Sequence, residues 1–275
     1  MPKVKTNDIM TYYEIHGEGN PLVFIHGAWV DHEMWYSQVE HFSKYYRVIT
    51  YDVRGHGQTG GSAREKYSVD LWADDLKSLL DALSINKPTI CGLSLGGMIA
   101  QAYTVKYPDG LKALVLADTA VSTSLTLSDK IQKYVVAPKF IFLSIVHLLG
   151  TKRYTDFAFW LAQVTRGEKW FGLSQEVRAY VRRKMSNFDV EEFNKIFAAI
   201  YDFTLLDLSR IKVRTLVING EFESKAVFRH TETMKKMIKN SSVVVISDAG
   251  HTSNMENPIG FNRALEKFLD GLNYG

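Results

Sequence analysis

One stretch of fourteen residues, Pro88-Thr-Ile-Cys-Gly-Leu-Ser-Leu-Gly-Gly-Met-Ile-Ala-Gln101, restricts the fold more than any other part of the chain. It reads as a short apolar strand, a tight turn and a helix. The turn is Gly92-Leu93-Ser94-Leu95-Gly96, a G-x-S-x-G pattern that joins strand to helix through a strained serine. Its glycines answer a steric demand. When the backbone turns sharply at Ser94, side chains two residues before and two after it would collide. Gly97 lets the helix lie close to the strand. The Ser94 hydroxyl then stands above a helix N-terminus, where backbone N–H groups and the helix dipole favour developing negative charge. A glycine-rich turn carrying a solvated serine would satisfy the same pattern, so the rest of the chain has to supply what a nucleophile needs.

A chain of 275 residues is long enough for a large α/β core, alone or with an insertion. Hydrophobic residues make up 46% and charged residues 23%, the usage of a globular protein. The formal net charge of +3, without a basic run or an acidic tail, gives no reason to expect nucleic acid as a partner. Cys91 is the one cysteine, so no intrachain disulfide can form, and a cytoplasmic home is expected. Its place at the end of the elbow strand makes it a small buried apolar residue. The opening Met-Pro-Lys-Val-Lys-Thr lacks the apolar core of a signal peptide. The longest apolar run, Val135 to Leu149, is interrupted by Lys139, Ser144 and His147 and is too short for a membrane span.

The remaining elements follow from periodicity. Ile9 to His16 alternates and reads as an edge strand. Leu22-Val-Phe-Ile25 is a continuous apolar run, as in a strand buried on both faces of a parallel sheet. It ends in His26-Gly27-Ala28-Trp29, where the glycine lets the backbone approach a reacting group. The Ala28 and Leu95 N–H groups are therefore candidates for an oxyanion hole, with Trp29 beside them in the pocket wall. His26 reads as a brace for that loop. Met34 to Phe42 is helical and Arg47 to Tyr51 a strand. In Asp52-Val-Arg54-Gly55-His56-Gly57, His56 is flanked by glycines in a turn and reads as another loop brace rather than a base. Val69 to Leu83 is a helix whose Asp70, Asp74 and Asp75 form an acidic, solvated face without histidines at metal-ligand spacing. No metal site and no cofactor is expected. A helix to about Tyr107 follows the elbow, and Leu111 to Ala117 is the next strand.

From about Ser122 to Leu208 the strand–helix alternation stops, and helical patterns rich in aromatics and methionine take over. The large residues there are Phe140, Phe142, Tyr154, Phe157, Phe159, Trp160, Trp170, Phe171, Met185, Phe188, Phe193 and Phe197. Most should pack one another, and a minority should line an apolar pocket against the sheet. The expected division is a core of residues 1–121 and 209–275 with a helical cap at 122–208. Alternation resumes with the strand Thr215-Leu-Val-Ile218, a helix from about Phe228 to Lys239, and the strand Ser242 to Ile246. A terminal amphipathic helix begins near Asn257. These repeated units predict an α/β fold with a mostly parallel sheet covered by helices on both faces. Reactive groups in such a sheet gather at the carboxyl ends of its strands, where Ser94, Glu223 and His251 all fall.

Serine is a weak nucleophile without a base, and that base needs an acid to fix its tautomer. His251 is the best base: it follows a strand and a glycine, and it comes last in the order nucleophile, acid, histidine. The motifs His26-Gly27, Asp52-x-Arg54-Gly55-His56-Gly57, Cys91-Gly-Leu-Ser-Leu-Gly-Gly97, Gly220-x-x-Glu223 and Gly250-His251 together resemble those of an α/β-hydrolase over nearly the full chain. The elbow segment is similar to that of the 3-oxoadipate enol-lactonase and carboxylesterase-like group. That resemblance implies the α/β-hydrolase fold with an inserted cap and a cofactor-free serine hydrolase. Its substrate would be a small carboxylic ester or lactone, with neither membrane nor nucleic acid as partner. It further implies Ser94, His251 and an acid as catalytic residues. The family usually places Asp where this chain has Glu223, so Asp118, at the end of the preceding strand, is the alternative acid and Glu221 a third. Two other functions fit the same residues: hydrolysis of a carbon–carbon bond in a dienone-type substrate, and ligand binding by a hydrolase-like receptor. The residues leave monomer and homodimer equally open.

Overall fold

The computed structural model describes residues 2–171 and 174–272. Eight strands form one sheet: β1 (Lys3–Thr6), β2 (Ile9–His16), β3 (Asn20–Ile25), β4 (Tyr46–Tyr51), β5 (Thr89–Leu93), β6 (Ala113–Ala117), β7 (Arg214–Gly220) and β8 (Ser241–Ile246). Their order is β1-β2-β4-β3-β5-β6-β7-β8. β1 and β2 pair antiparallel, as do β2 and β4, and every later pair is parallel. Ile9–His16 is therefore not the edge strand that its alternation predicted. Lys3–Thr6 covers it, with Lys3 opposite Tyr12 and Thr6 opposite Ile9. The polar Lys-Val-Lys-Thr sequence hid that short edge strand, because an outermost strand buries little.

β5 and β6 are buried along their whole length. Alternate residues point to opposite faces. Val23, Ile25, Ile90, Leu114 and Val217 belong to one core cluster, and Leu22, Phe24, Cys91, Val115 and Ile218 to the other. Helices cover both faces. α1 (Tyr36–Phe42) and, at the C-terminal end, α10 (Pro258–Asp270) contribute Phe42, Phe261, Leu265 and Phe268 to the second cluster. α2 (Val69–Ala82) and α3 (Leu95–Lys106) contribute Leu76, Leu79, Ile99 and Tyr103 to the first. Phe24 stacks on Trp35 with ring centroids 4.7 Å apart. Burying an aromatic or aliphatic side chain of this kind contributes about 1.5–3 kcal/mol.

The acidic stripe of α2 is not wholly solvated. Asp75 is buried and takes two hydrogen bonds from Arg54, Nε to Oδ2 at 2.7 Å and an Nη2 bond to Oδ1 at 2.8 Å. The Arg54 side chain is itself fully buried, and Asp8 accepts a further bond from it at 2.6 Å. Helical spacing places Asp70, Asp74 and Asp75 near one another but does not show that a cation from the β4 loop turns inward beneath Asp75.

Between β6 and β7 the described residues contain no strand. They form α4 (Leu127–Ile131), α5 (Lys139–Arg166), α6 (Gln175–Ser186) and α7 (Val190–Asp202). α5 is broken at Gly150, whose φ of 71° and ψ of 162° are not helical. α8 (Lys225–Met237) and the short α9 (Ser253–Glu256) complete the set. Among the described residues no single helix is long and apolar enough to cross a membrane.

The chain passes from β3 to β4 on one side and then returns to place β5 on β3's other side. This reversal opens a crevice at the carboxyl ends of β3 and β5, the place where open α/β sheets bind ligands.

Candidate active site

Ser94 lies between the last residue of β5 and the first of α3 with φ 55° and ψ −114°. Such a conformation costs about 1–3 kcal/mol and persists only when its surroundings impose it. Here the Ser94 N–H donates to the Ala117 carbonyl at 2.9 Å, and the Thr119 hydroxyl donates to the Ser94 carbonyl at 2.6 Å. The flanking glycines have no room for side chains. A Cβ on Gly92 would stand 2.2 Å from the Gly96 carbonyl oxygen, and one on Gly96 would stand 2.1 Å from that of Ile25.

His251 follows β8, and Glu223 lies just past β7. His251 Nε2 is 3.0 Å from Ser94 Oγ, and His251 Nδ1 is 2.5 Å from Glu223 Oε2. A carboxylate accepts only, so Nδ1 carries the proton and Nε2 is left as the acceptor facing the serine. The Glu223 side chain is fully buried. Its other oxygen, Oε1, accepts from the Ser224 N–H at 2.6 Å and from the Trp170 indole N–H at 2.5 Å. Burial works against the Glu223 charge, but attraction to His251 and these hydrogen bonds hold its carboxyl below the ordinary range. Burial also disfavours the His251 cation, and Glu223 outweighs it, so His251 titrates above the ordinary value of 6.5.

The structure brings together Ser94, His251 and Glu223, and it leaves the alternative acids elsewhere. Asp118 is buried, with Oδ1 accepting from the Gly220 N–H at 2.8 Å and Oδ2 from the Ser253 hydroxyl at 2.5 Å. Burial, reinforced by the Glu223 charge, pushes its carboxyl well up. Glu221 accepts from the Asp248 N–H at 3.0 Å. The extra methylene of Glu223 is accommodated, and the shorter Asp118 is committed to bracing the β7 and α9 loops.

Ser94 and His251 open onto a cavity of about 260 Å³. Gly27 and Ala28 form its floor beside Ser94, and Trp29 and Met34 its wall. Leu95 opens α3, and its side chain is buried in the core. Trp29 stacks on Phe193 at 4.6 Å with its backbone in the left-handed region. Of the aromatics and methionines between β6 and β7, Phe142, Tyr154, Phe157, Trp170 and Met185 line the cavity. Phe193 packs behind Trp29, Phe140 and Trp160 are exposed, and the Phe171 side chain lies outside the described residues.

The family model described as alpha/beta hydrolase fold matches residues 20–258. The chain belongs to the α/β-hydrolase family. It is 26% identical to the (E)-2-((N-methylformamido)methylene)succinate hydrolase of Acinetobacter baylyi, over 96% of each chain. It is 24% identical to 3-oxoadipate enol-lactonase 2 of the same organism, over 97% of this chain and 95% of that one. Among solved structures, a thermophilic esterase from Thermogutta terrifontis superposes with a TM-score of 0.82 at 27% identity, covering 98% of this chain and 97% of that one.

Two other histidines of this α/β-hydrolase hold loops. His26 Nε2 accepts from the Val53 N–H at 3.0 Å, while its Nδ1 donates to the Gly27 carbonyl at 2.7 Å. His56 Nδ1 meets the Arg54 carbonyl at 3.2 Å, and burial drives its pKa down to about 3. A third, His32, bonds the buried Asp52 at 2.7 Å, which ties the two loops together. Among the described residues no group of three or more His, Cys, Asp or Glu side chains is placed to hold a metal ion.

Sequence reasoning missed two residues at the α/β-hydrolase site. Trp170 stood out only as one aromatic among many, and no local pattern marks its bond to Glu223, which lies 53 positions away. Arg166, the last residue of α5, also lines the cavity. A cation ending an apolar helix is the ordinary complement of a helix dipole, so nothing singled it out.

Proposed function

We propose that this α/β-hydrolase is a serine hydrolase of carboxylic esters and lactones. The observation that carries the proposal is the run of contacts from Ser94 Oγ through His251 to Glu223, at 3.0 and 2.5 Å, opening onto an apolar cavity. Ser94 Oγ attacks the acyl carbon as His251 Nε2 takes its proton. The Ala28 and Leu95 N–H groups hold the oxyanion, and Glu223 stabilises the imidazolium and keeps its orientation. Collapse of the tetrahedral adduct expels the alkoxide, which leaves with the proton from His251. Water then attacks the acyl-enzyme, His251 acting as base again, and Ser94 is regenerated. No cofactor enters this cycle.

Arg166 refines the substrate class. Among the described residues it forms no ion pair with a carboxylate, and it stands in a cavity wall that is otherwise largely apolar. Acyl groups ending in an anion fit that arrangement. The two Acinetobacter relatives are named for a substituted succinate and for an oxoadipate lactone, which supports the same choice. The expected partner is a small molecule, and the buried Cys91, the one cysteine, suits a cytoplasmic enzyme.

The test is hydrolysis of p-nitrophenyl esters of increasing acyl length, with and without a terminal carboxylate, by the wild type and Ser94→Ala. Ser94-dependent turnover is expected, and the length series sizes the cavity. Turnover of a dienone ring-cleavage product with none on esters would favour carbon–carbon hydrolysis. Tight binding with no Ser94-dependent turnover would favour a receptor.

A further inference from the structure

The short helical turn Glu168–Phe171, which follows α5, carries Trp170 into contact with both partners of Ser94. The indole N–H donates to Glu223 Oε1 at 2.5 Å. The indole ring stacks on the His251 imidazole, with centroids 4.9 Å apart and planes at 27°. The Trp170 carbonyl accepts from the His251 backbone N–H at 2.8 Å. Gly250 leaves the space for this approach, since a Cβ there would stand 2.3 Å from the Trp170 carbonyl oxygen.

We propose that Trp170 is a positioning residue, its indole N–H fixing the glutamate carboxylate in the orientation that His251 requires. The proposal rests on reading Ser94, His251 and Glu223 as the catalytic set. Glutamate has one more rotatable bond than aspartate, so its carboxylate can reach the imidazole in more than one pose. Two donors on Oε1, from Ser224 and Trp170, leave Oε2 alone for Nδ1. The Ser224 N–H belongs to the acid loop itself. The indole comes from the segment inserted between β6 and β7, so the acid end of the site is complete only when that segment is seated.

Charge reaches this group from several elements. Asp118 beyond β6 and Arg166 at the end of α5 both act on the His251 and Glu223 pair. Removing the indole N–H takes one donor from Glu223, makes its carboxylate more basic and strengthens its hold on the His251 proton. The acid limb of the activity profile then moves to higher pH.

Trp170→Phe keeps a ring over the imidazole and removes the donor. Benzothienylalanine in place of Trp170 keeps the bicyclic shape and removes only the N–H. Both should lower kcat about 10- to 100-fold, the worth of one hydrogen bond to a charged group. KM should stay within about twofold with benzothienylalanine, which keeps the cavity wall and the ring beneath Arg166, whereas Trp170→Phe also reshapes that wall. Both should shift the acid limb upward. In a Glu223→Gln background the same changes should cost less than about threefold, because the charged acceptor is gone. Full activity with benzothienylalanine, or an equal cost in both backgrounds, would reduce Trp170 to packing and overturn the proposal.

One measurement needs no substrate. The His251 Nδ1 proton should give a low-field resonance in the proton spectrum that moves or broadens in both variants. An unchanged resonance in the folded variants overturns the proposal. Absence of Ser94-dependent turnover in the wild type would instead count against the hydrolase reading and leave this spectral test in force.

Discussion

Glu223→Gln tests the acid most directly, because it changes the charge and almost nothing else. Glu223 Oε1 faces two N–H donors, from Ser224 and Trp170. An amide at this position must keep its oxygen there and turn its NH2 toward His251 Nδ1. The imidazole then has to accept at Nδ1 and carry its proton on Nε2, facing Ser94 Oγ. It can no longer take the serine proton, and the imidazolium loses its counter-charge. With the side chain fully buried, solvent cannot compensate. In a serine–histidine–carboxylate site this change costs about 10⁴-fold in kcat, or about 5.5 kcal/mol. KM should stay near the wild-type value, since Glu223 does not line the cavity. The assay is steady-state hydrolysis of the best p-nitrophenyl ester, with Ser94→Ala as the floor and a thermal melt to confirm folding. A folded variant with kcat within about tenfold of wild type would refute the reasoning, since about 1.4 kcal/mol is far less than a lost counter-charge and a wrong tautomer demand.

Other outcomes follow from the same geometry. His251 must be neutral to accept the proton, and it titrates above 6.5, so kcat/KM should rise with pH along a limb centred above that value; a midpoint at or below 6.5 contradicts the coupling to Glu223. Asp118→Asn should lower kcat by less than about tenfold while costing about 1–3 kcal/mol in a urea melt, because its carboxyl holds the Gly220 N–H and Ser253, not the imidazole. A kcat loss as large as that of Glu223→Gln would transfer the acid role to Asp118. Asp75→Ala should destabilise the fold by about 3 kcal/mol, near the low end for breaking a buried pair because Asp8 keeps one bond to Arg54. A loss below about 1 kcal/mol in chemical denaturation would return Asp75 to the solvated face of α2.

Much of this molecule is legible locally. The G-x-S-x-G turn implies strand, strained serine and helix because its glycines satisfy clashes between residues two apart, and the observed Gly92 and Gly96 contacts are of that kind. The continuous apolar runs at β3, β5, β6 and β7 imply strands buried on both faces. Errors fell where burial or pairing depends on a distant residue. Lys3–Thr6 has no apolar run because it is an edge, and Asp75 looks solvated until Arg54 is seen beneath it.

The sequence alone determined the architecture, the strained serine at the elbow and the histidine that follows the last strand. Each is set by side-chain period, backbone sterics or chain order, all of which act between near neighbours. Only the tertiary structure decided which carboxylate meets His251, that an indole from the inserted segment meets the same carboxylate, and which aromatics turn toward the cavity. Those choices depend on where loops from β5, β6, β7, β8 and α5 converge. Distances between loops far apart in sequence are set by the packed sheet and helices, and no local pattern encodes them.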